Sequence, residues 1–209
     1  MIRIITDSTC DLSARQAHDL GLTVMPLTVH FGEEAYLDGV EITPPEFYAK
    51  LAASGSVLPT TSQINPGAFA DAFEAALAEG DEVVGIFISS ELSGTYQSAV
   101  MAKEMIGSSR IHLVDSRTVT FPLALLLSEA ARLRDAGLDG AELARQTTGL
   151  SRRLRLRPPC HDCQRDHNSA DQNCGCQDCA DNNCFPIHNE PLSCLCAFSI
   201  SIKIKRFVS

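Results

Sequence analysis

Hydroxyl groups placed at the ends of apolar runs are the main chemistry offered by this 209-residue sequence. Three such runs end in polar turns, Asp7-Ser8-Thr9, Ser89-Ser90 and Asp115-Ser116. Open α/β sheets bind ligands in the crevice beyond the carboxyl ends of their strands. A rim of hydroxyls there can donate hydrogen bonds to an anion without adding a fixed positive charge. Ser93-Gly94 stands at the start of a predicted helix, where free backbone N–H groups and the helix dipole favour an anion. Glycine at that point would also let a ligand approach the backbone closely. Each Ser or Thr taken alone is an ordinary helix or turn cap. Their convergence on one edge is what points to binding.

Other chemistries lack their residues. The sequence has no GxxxxGK[ST] phosphate loop, no GxGxxG, no GxSxG elbow and no HExxH pair. His18, His30 and His112 lie far apart and read as surface or satisfied core histidines. Cys10 follows the first apolar run with no histidine near it to activate its thiol, so it reads as a buried, inert cysteine. Asp7 and Asp115 would form a carboxylate pair if they met at the rim, but capping of the turns that follow them is the expected role. A hydrolase built on Ser93 or Asp7 would need a general base that no motif supplies. The expectation is a binding protein, not an enzyme, with no cofactor.

The elements that must position these groups alternate. Ile2–Thr6, Val83–Ile88 and Ile111–Val114 read as buried strands, apolar on both faces as parallel strands are. Thr23–Phe31 reads as extended. Helices are expected from Ser13 to Leu20 (with Asp11 or Ser13 as cap), from Pro44 to Ala53 behind the capping box Thr43-Pro44-Pro45-Glu46, and from Asn65-Pro66 to Glu79. Further helices are expected over about 94–106, 122–136 and 140–154. Thr61 and Ser62 fall in a loop just before the Asn65-Pro66 helix start. Strand-helix alternation predicts an α/β fold, an open and mostly parallel sheet flanked by helices.

Hydrophobic residues make up 44% and charged residues 21% of the chain, as in globular domains, and the net charge of −9 argues against nucleic acid as a partner. No apolar run reaches the length of a membrane span. The residues after Met1 lack the apolar core of a signal peptide, which predicts a cytoplasmic protein. Of the nine cysteines, Cys10 is the one that falls in residues 1–157; the other eight crowd into 158–209. The sequence therefore divides into an α/β domain over 1–157 and a Cys-rich tail over 158–209 with no sustained helical or strand period. Cys160, Cys163, Cys176 and Cys179 have a spacing close to a zinc ribbon. The alternative reading they carry is a zinc-binding interaction module fused to the α/β domain. The preferred expectation is a disordered or out-of-frame segment without metal.

The blocks Ile5-Thr6-Asp7-Ser8-Thr9-Cys10-Asp11-Leu12, Tyr36-Leu37-Asp38-Gly39, Thr60-Thr61-Ser62-Gln63, the run from Ile88 to Ala99, and Asp115-Ser116 resemble, in order and spacing, the DegV family of bacterial fatty-acid-binding proteins. The resemblance covers about residues 1–150. It implies a two-domain protein that holds a long-chain fatty acid by its carboxylate and presents it to the catalytic subunit of a fatty-acid kinase. On matching motifs the carboxylate would be held by Thr61, Ser62, Ser93 and Gly94. The family's second domain covers the acyl chain and brings a basic residue and a histidine near the carboxylate, and nothing in 158–209 matches it, which implies impaired binding in this chain. Two departures bear on the pocket edge: Ile64-Asn65 stands where the family has proline after TTSQ, and Phe121-Pro122 replaces a small or flexible pair.

Overall fold

The computed structural model describes residues 1–55 and 58–153. The expected tail, with Cys160, Cys163, Cys176 and Cys179, lies outside the described residues. Fourteen elements follow in chain order: β1 (Ile2–Asp7), a 3₁₀ turn (Ser8–Cys10), α1 (Ala14–Asp19), β2 (Leu22–Met25), β3 (Thr28–Phe31), β4 (Glu34–Leu37), α2 (Pro44–Ala53), β5 (Thr60–Ser62), α3 (Pro66–Ala78), β6 (Glu82–Phe87), α4 (Thr95–Ile106), β7 (Ile111–Asp115), α5 (Phe121–Asp135) and α6 (Gly140–Ser151).

The main sheet is parallel throughout, in the order β2-β1-β6-β7. Side-chain alternation splits its apolar residues between two cores. Ile4, Val84, Ile86 and Val114 pack under α5 and α6 through Leu123, Leu126, Leu127 and Leu143. Ile5, Val83, Phe87 and Ile111 pack under α3 and α4 through Phe69, Phe73, Ala99 and Ala102. Phe69 and Phe87 meet edge-on, with ring centroids 4.9 Å apart. The expected α/β class and the expected capping box at Thr43 are present, and of the two candidate caps of the first helix Ser13 is the one used, in a capping box with Gln16.

The expected extended run Thr23–Phe31 is instead two strands in two sheets. Pro26 has no N–H to donate, so the parallel ladder of β2 cannot continue past Met25. Leu27 turns aside, its N–H donating to Ser8 Oγ at 3.1 Å. β3 then pairs antiparallel with β4 on one side and with β5 on the other. This second sheet was not expected, and it corrects the loop reading of Thr61 and Ser62, which lie in strand β5. α2 lies on one of its faces, where Phe31 meets Phe47 at 5.5 Å and Lys50 Nζ bonds Glu34 at 2.8 Å.

The carboxyl edge of the main sheet is gathered by one buried side chain. Asp7, fully buried at the end of β1, accepts a hydrogen bond from Ile88 N–H at 2.7 Å. It also accepts from Thr9 N–H at 3.0 Å and from the Thr9 hydroxyl. Asp7→Ala would leave three donors unsatisfied, two of them backbone amides, and should cost about 2–4 kcal/mol. Urea denaturation measures this, and a loss below about 1 kcal/mol would show that the carboxylate does not hold the edge.

Candidate functional site

The site grows from the exits of the parallel strands. β6 ends at Phe87, and Ile88 to Ser93 form the turn into α4, with Leu92 N–H and Ser93 N–H both donating to Ser89 C=O. Asp115, at the end of β7, accepts from Ser90 N–H at 3.1 Å, from Ser90 Oγ at 2.6 Å and from Arg117 N–H at 3.0 Å. Asp7 Oδ1 and Asp115 Oδ1 cap the turns that follow them, at Thr9 and Arg117, as expected, while Asp7 Oδ2 reaches Ile88 and the Asp115 carboxylate reaches Ser90, both beyond β6.

At the start of α4 the helix's first amides have no intrahelical acceptor. Ser93 Oγ accepts from Thr95 N–H at 3.2 Å and lies 3.0 Å from Thr95 Oγ1. Thr95 is fully buried, so its hydroxyl has Ser93 as its partner. When Thr95 donates to Ser93 Oγ, the Ser93 proton is free to point at an external anion. Ser93 is half-buried and thus both a cap and an available donor. Thr95, which orients it, was missed by sequence reasoning; the Ser-x-Thr spacing at a helix start was the signal.

Gly94 has a neighbour of its own beside the ligand approach expected there. Its backbone, φ −71° and ψ −1°, is open to any residue, so no left-handed turn requires glycine. The space where a β-carbon would stand is taken by Gln63, whose Cδ would lie 2.8 Å away and whose Oε1 would lie inside van der Waals contact. The close approach to the Gly94 backbone is therefore made by Gln63, not by open solvent. Gln63 Nε2 also donates to Ser98 Oγ at 3.1 Å, one turn further along α4.

β5 turns Thr61 and Ser62 to opposite faces of the small sheet, because successive strand residues alternate. Thr61 pairs with Val29 and Ser62 with Thr28. Ser62 Oγ is 2.7 Å from His30 Nε2, which fixes its face and satisfies that histidine. Thr61 is exposed on the other face.

Three carboxyl groups, Asp7, Asp11 and Asp38, stand near one another at the exit of β1, with Asp7 and Asp11 beside Cys10. Burial pushes the Asp11 carboxyl up to about 6, helped by the charges of Asp38 and Asp7. Burial also raises Asp38, partly offset by the Ser8 hydroxyl, and raises Asp7. Cys10 is buried and its thiol is pushed up to about 11, mainly by burial, so it stays protonated and inert. Among the described residues no group of three or more His, Cys, Asp or Glu is arranged to hold a metal ion, and no helix is long and apolar enough to cross a membrane. A separate cleft of about 280 Å³ opens between α4, β7 and α6, lined by Tyr96, Asp115, Arg117 and Arg152 among others.

The architecture is an open parallel α/β sheet whose carboxyl edge carries a hydroxyl-lined helix start, bordered by a small antiparallel sheet. Residues 1–157 match the family model described as "Uncharacterised protein, DegV family". The chain belongs to the DegV family. A DegV domain-containing protein of Clostridium perfringens is 45% identical over 145 residues, covering 69% of this chain and 52% of that protein. The chain spans about half the length of the curated relatives it matches. Among solved structures, the fatty acid binding DegV family protein of Thermus thermophilus is 35% identical, with a TM-score of 0.66 over 72% of this chain and 53% of that one. A stearic acid-binding protein of Eubacterium ventriosum is 33% identical, with a TM-score of 0.65 over 70% and 52%.

The carboxyl cluster has a consequence for stability against pH. Asp11 titrates higher in the fold than in the unfolded chain, so protonation favours the fold, and stability rises as pH falls through about 6 toward 4. Asp81 is held low by the amino terminus and Arg3, so its contribution is present above the unfolded carboxylate range and is lost only at lower pH. The thermal midpoint should therefore be higher at about pH 5 than at pH 7 and fall again below about pH 4. Asp11→Asn should flatten the rise between 7 and 5, since Asn tolerates the left-handed conformation of Asp11, φ 55°. An unchanged pH profile in that variant would remove Asp11 as the cause.

Proposed function

We propose that this chain binds a long-chain fatty acid by its carboxylate and, as a cytoplasmic protein, presents it to the catalytic subunit of a fatty-acid kinase. The observation that carries the reading is the start of α4, where a half-buried Ser93 hydroxyl, oriented by Thr95, stands beside helix amides at the carboxyl edge of a parallel sheet. Ser93, the Gly94 amide and Thr61 are the proposed carboxylate ligands. Ser62, on the other face of β5 with His30, supports the strand. The fatty acid binding of the Thermus thermophilus and Eubacterium ventriosum proteins supports the ligand class. The phosphoryl chemistry belongs to the partner kinase, in keeping with a sequence that has no phosphate-binding loop.

Lipid extraction of the purified chain followed by mass spectrometry tests the reading. A long-chain fatty acid is the expected outcome, at less than one per chain because binding is expected to be impaired without the second domain, and the acyl phosphate should appear when kinase and ATP are added. Ser93→Ala should weaken fatty-acid binding by about 1.5–3 kcal/mol, the worth of a hydrogen bond to a charged group, and Thr61→Val by a similar amount. Ser62→Ala should change it by less than about 0.5 kcal/mol. Equal affinities for Ser93→Ala and the parent chain, measured by titration with one labelled fatty acid, would remove α4 from the site.

A further inference from the structure

Thr61 and Ser93 belong to different sheets' neighbourhoods, so their separation is set by whatever joins β5 to α4. Gln63 makes that join. It follows β5 directly, its amide donates to Ser98 Oγ at 3.1 Å, and its carbonyl end lies in the space left by the missing side chain of Gly94. Ser98 is buried on α4 one turn beyond Gly94, so both contacts fall on one helix face. β5 has three residues and pairs with β3 on one edge, too little to hold its far end rigid.

We propose that Gln63 is a positioning residue for the carboxylate site, holding Thr61 at a fixed place against the Ser93 end of α4. Gly94 is glycine to admit it. The proposal rests on the carboxylate reading above and adds to it the side chain that sets the spacing of the two hydroxyl donors. Ligand contact is not the role of Gln63: its amide is committed to Ser98, and its effect on binding passes through Thr61. The pairing joins residues that α3 and β6 separate along the chain.

Two measurements test it. The first needs no ligand: Gly94→Ala forces Gln63 out and should lower the thermal midpoint by about 3–6 °C, but by less than about 1 °C when made in a Gln63→Ala background, where the space is vacant. Equal losses in both backgrounds would overturn the contact. The second compares palmitate with 1-hexadecanol, which share a chain and differ in the head group. Gln63→Ala should weaken palmitate about 10–100-fold while hexadecanol affinity stays within about twofold, since a spacing error acts on a charged head group held by paired donors. A parallel loss for both ligands would make Gln63 merely structural and overturn the proposal. An unchanged palmitate affinity would do the same. A parent chain that binds palmitate no better than hexadecanol would overturn the carboxylate reading itself, an outcome separate from the stability coupling of Gln63 and Gly94.

Discussion

A buried carboxylate held by hydrogen bonds gathers the working edge of this domain. Among the described residues Asp7 has no cation beside it and accepts three hydrogen bonds, from the Ile88 and Thr9 amides and from the Thr9 hydroxyl. A low-dielectric site strengthens such bonds and penalises the charge, and the raised titration of Asp7 reflects the second effect. Its reach explains its position. Through Ile88 it fixes the exit of β6, from which the turn to Ser93 departs. Through Thr9, whose carbonyl accepts from Thr120 N–H at 2.8 Å, it fixes the entry of α5. Ser116 N–H to Phe87 C=O at 3.1 Å and Ser89 N–H to Thr118 C=O at 2.9 Å lace β7 to the same edge. Three strand exits are thereby locked by groups that sit among neutral partners, and the hydroxyls beyond them inherit that rigidity.

A second constraint brings the other half of the site into place. Pro26 ends β2, and the chain that escapes the parallel sheet has to satisfy its backbone elsewhere, which it does in the β3–β4–β5 sheet. The positive φ of Gly32, 62°, supports the tight turn between β3 and β4. The small sheet would be marginal by itself at this size, but Phe31 on Phe47 and Lys50 on Glu34 pack it under α2. One edge strand, β5, then runs toward α4. The site is thus the meeting of a rigid parallel edge with a short antiparallel strand, and Gln63 closes the gap between them.

What the sequence made legible was local. Buried parallel strands announce themselves because both faces are apolar, and Val83 to Ile88 could be nothing else. The box at Thr43 and the caps at Ser13 and Asn65 are local signals within one helical turn, readable without knowing the fold. Asp7 and Asp115 as turn caps are the same kind of reading. What stayed hidden depends on distant partners. β5 consists of three exposed residues, Thr60, Thr61 and Ser62, so no hydrophobic period marks it, and its pairing with β3 is decided by Pro26 more than thirty positions earlier. Without the strand, Thr61 and Ser62 look equivalent; with it, alternation separates them. The neighbour of Gly94 was hidden for a related reason. Glycine near a helix start suggests an open approach for a ligand, yet here a neighbour from another element fills the opening.

The neutral donors of the proposed carboxylate site have their own logic. An arginine fork would neutralise a carboxylate and hold it with paired, charge-assisted bonds. Hydroxyls and helix amides stabilise the anion through dipoles, and they leave the negative charge largely on its own oxygens. A single hydroxyl contributes about 1.5–3 kcal/mol to an anion, so two or three of them must be placed together to bind at all. Their placement has to be accurate, since a hydrogen bond weakens steeply once its angle falls toward about 120°. A site of neutral donors therefore depends more on the rigidity of its frame than a site built on a point charge would. That dependence is met in this chain by fixed elements: Asp7 behind the strand exits, Thr95 behind Ser93, and Gln63 between the two sheets.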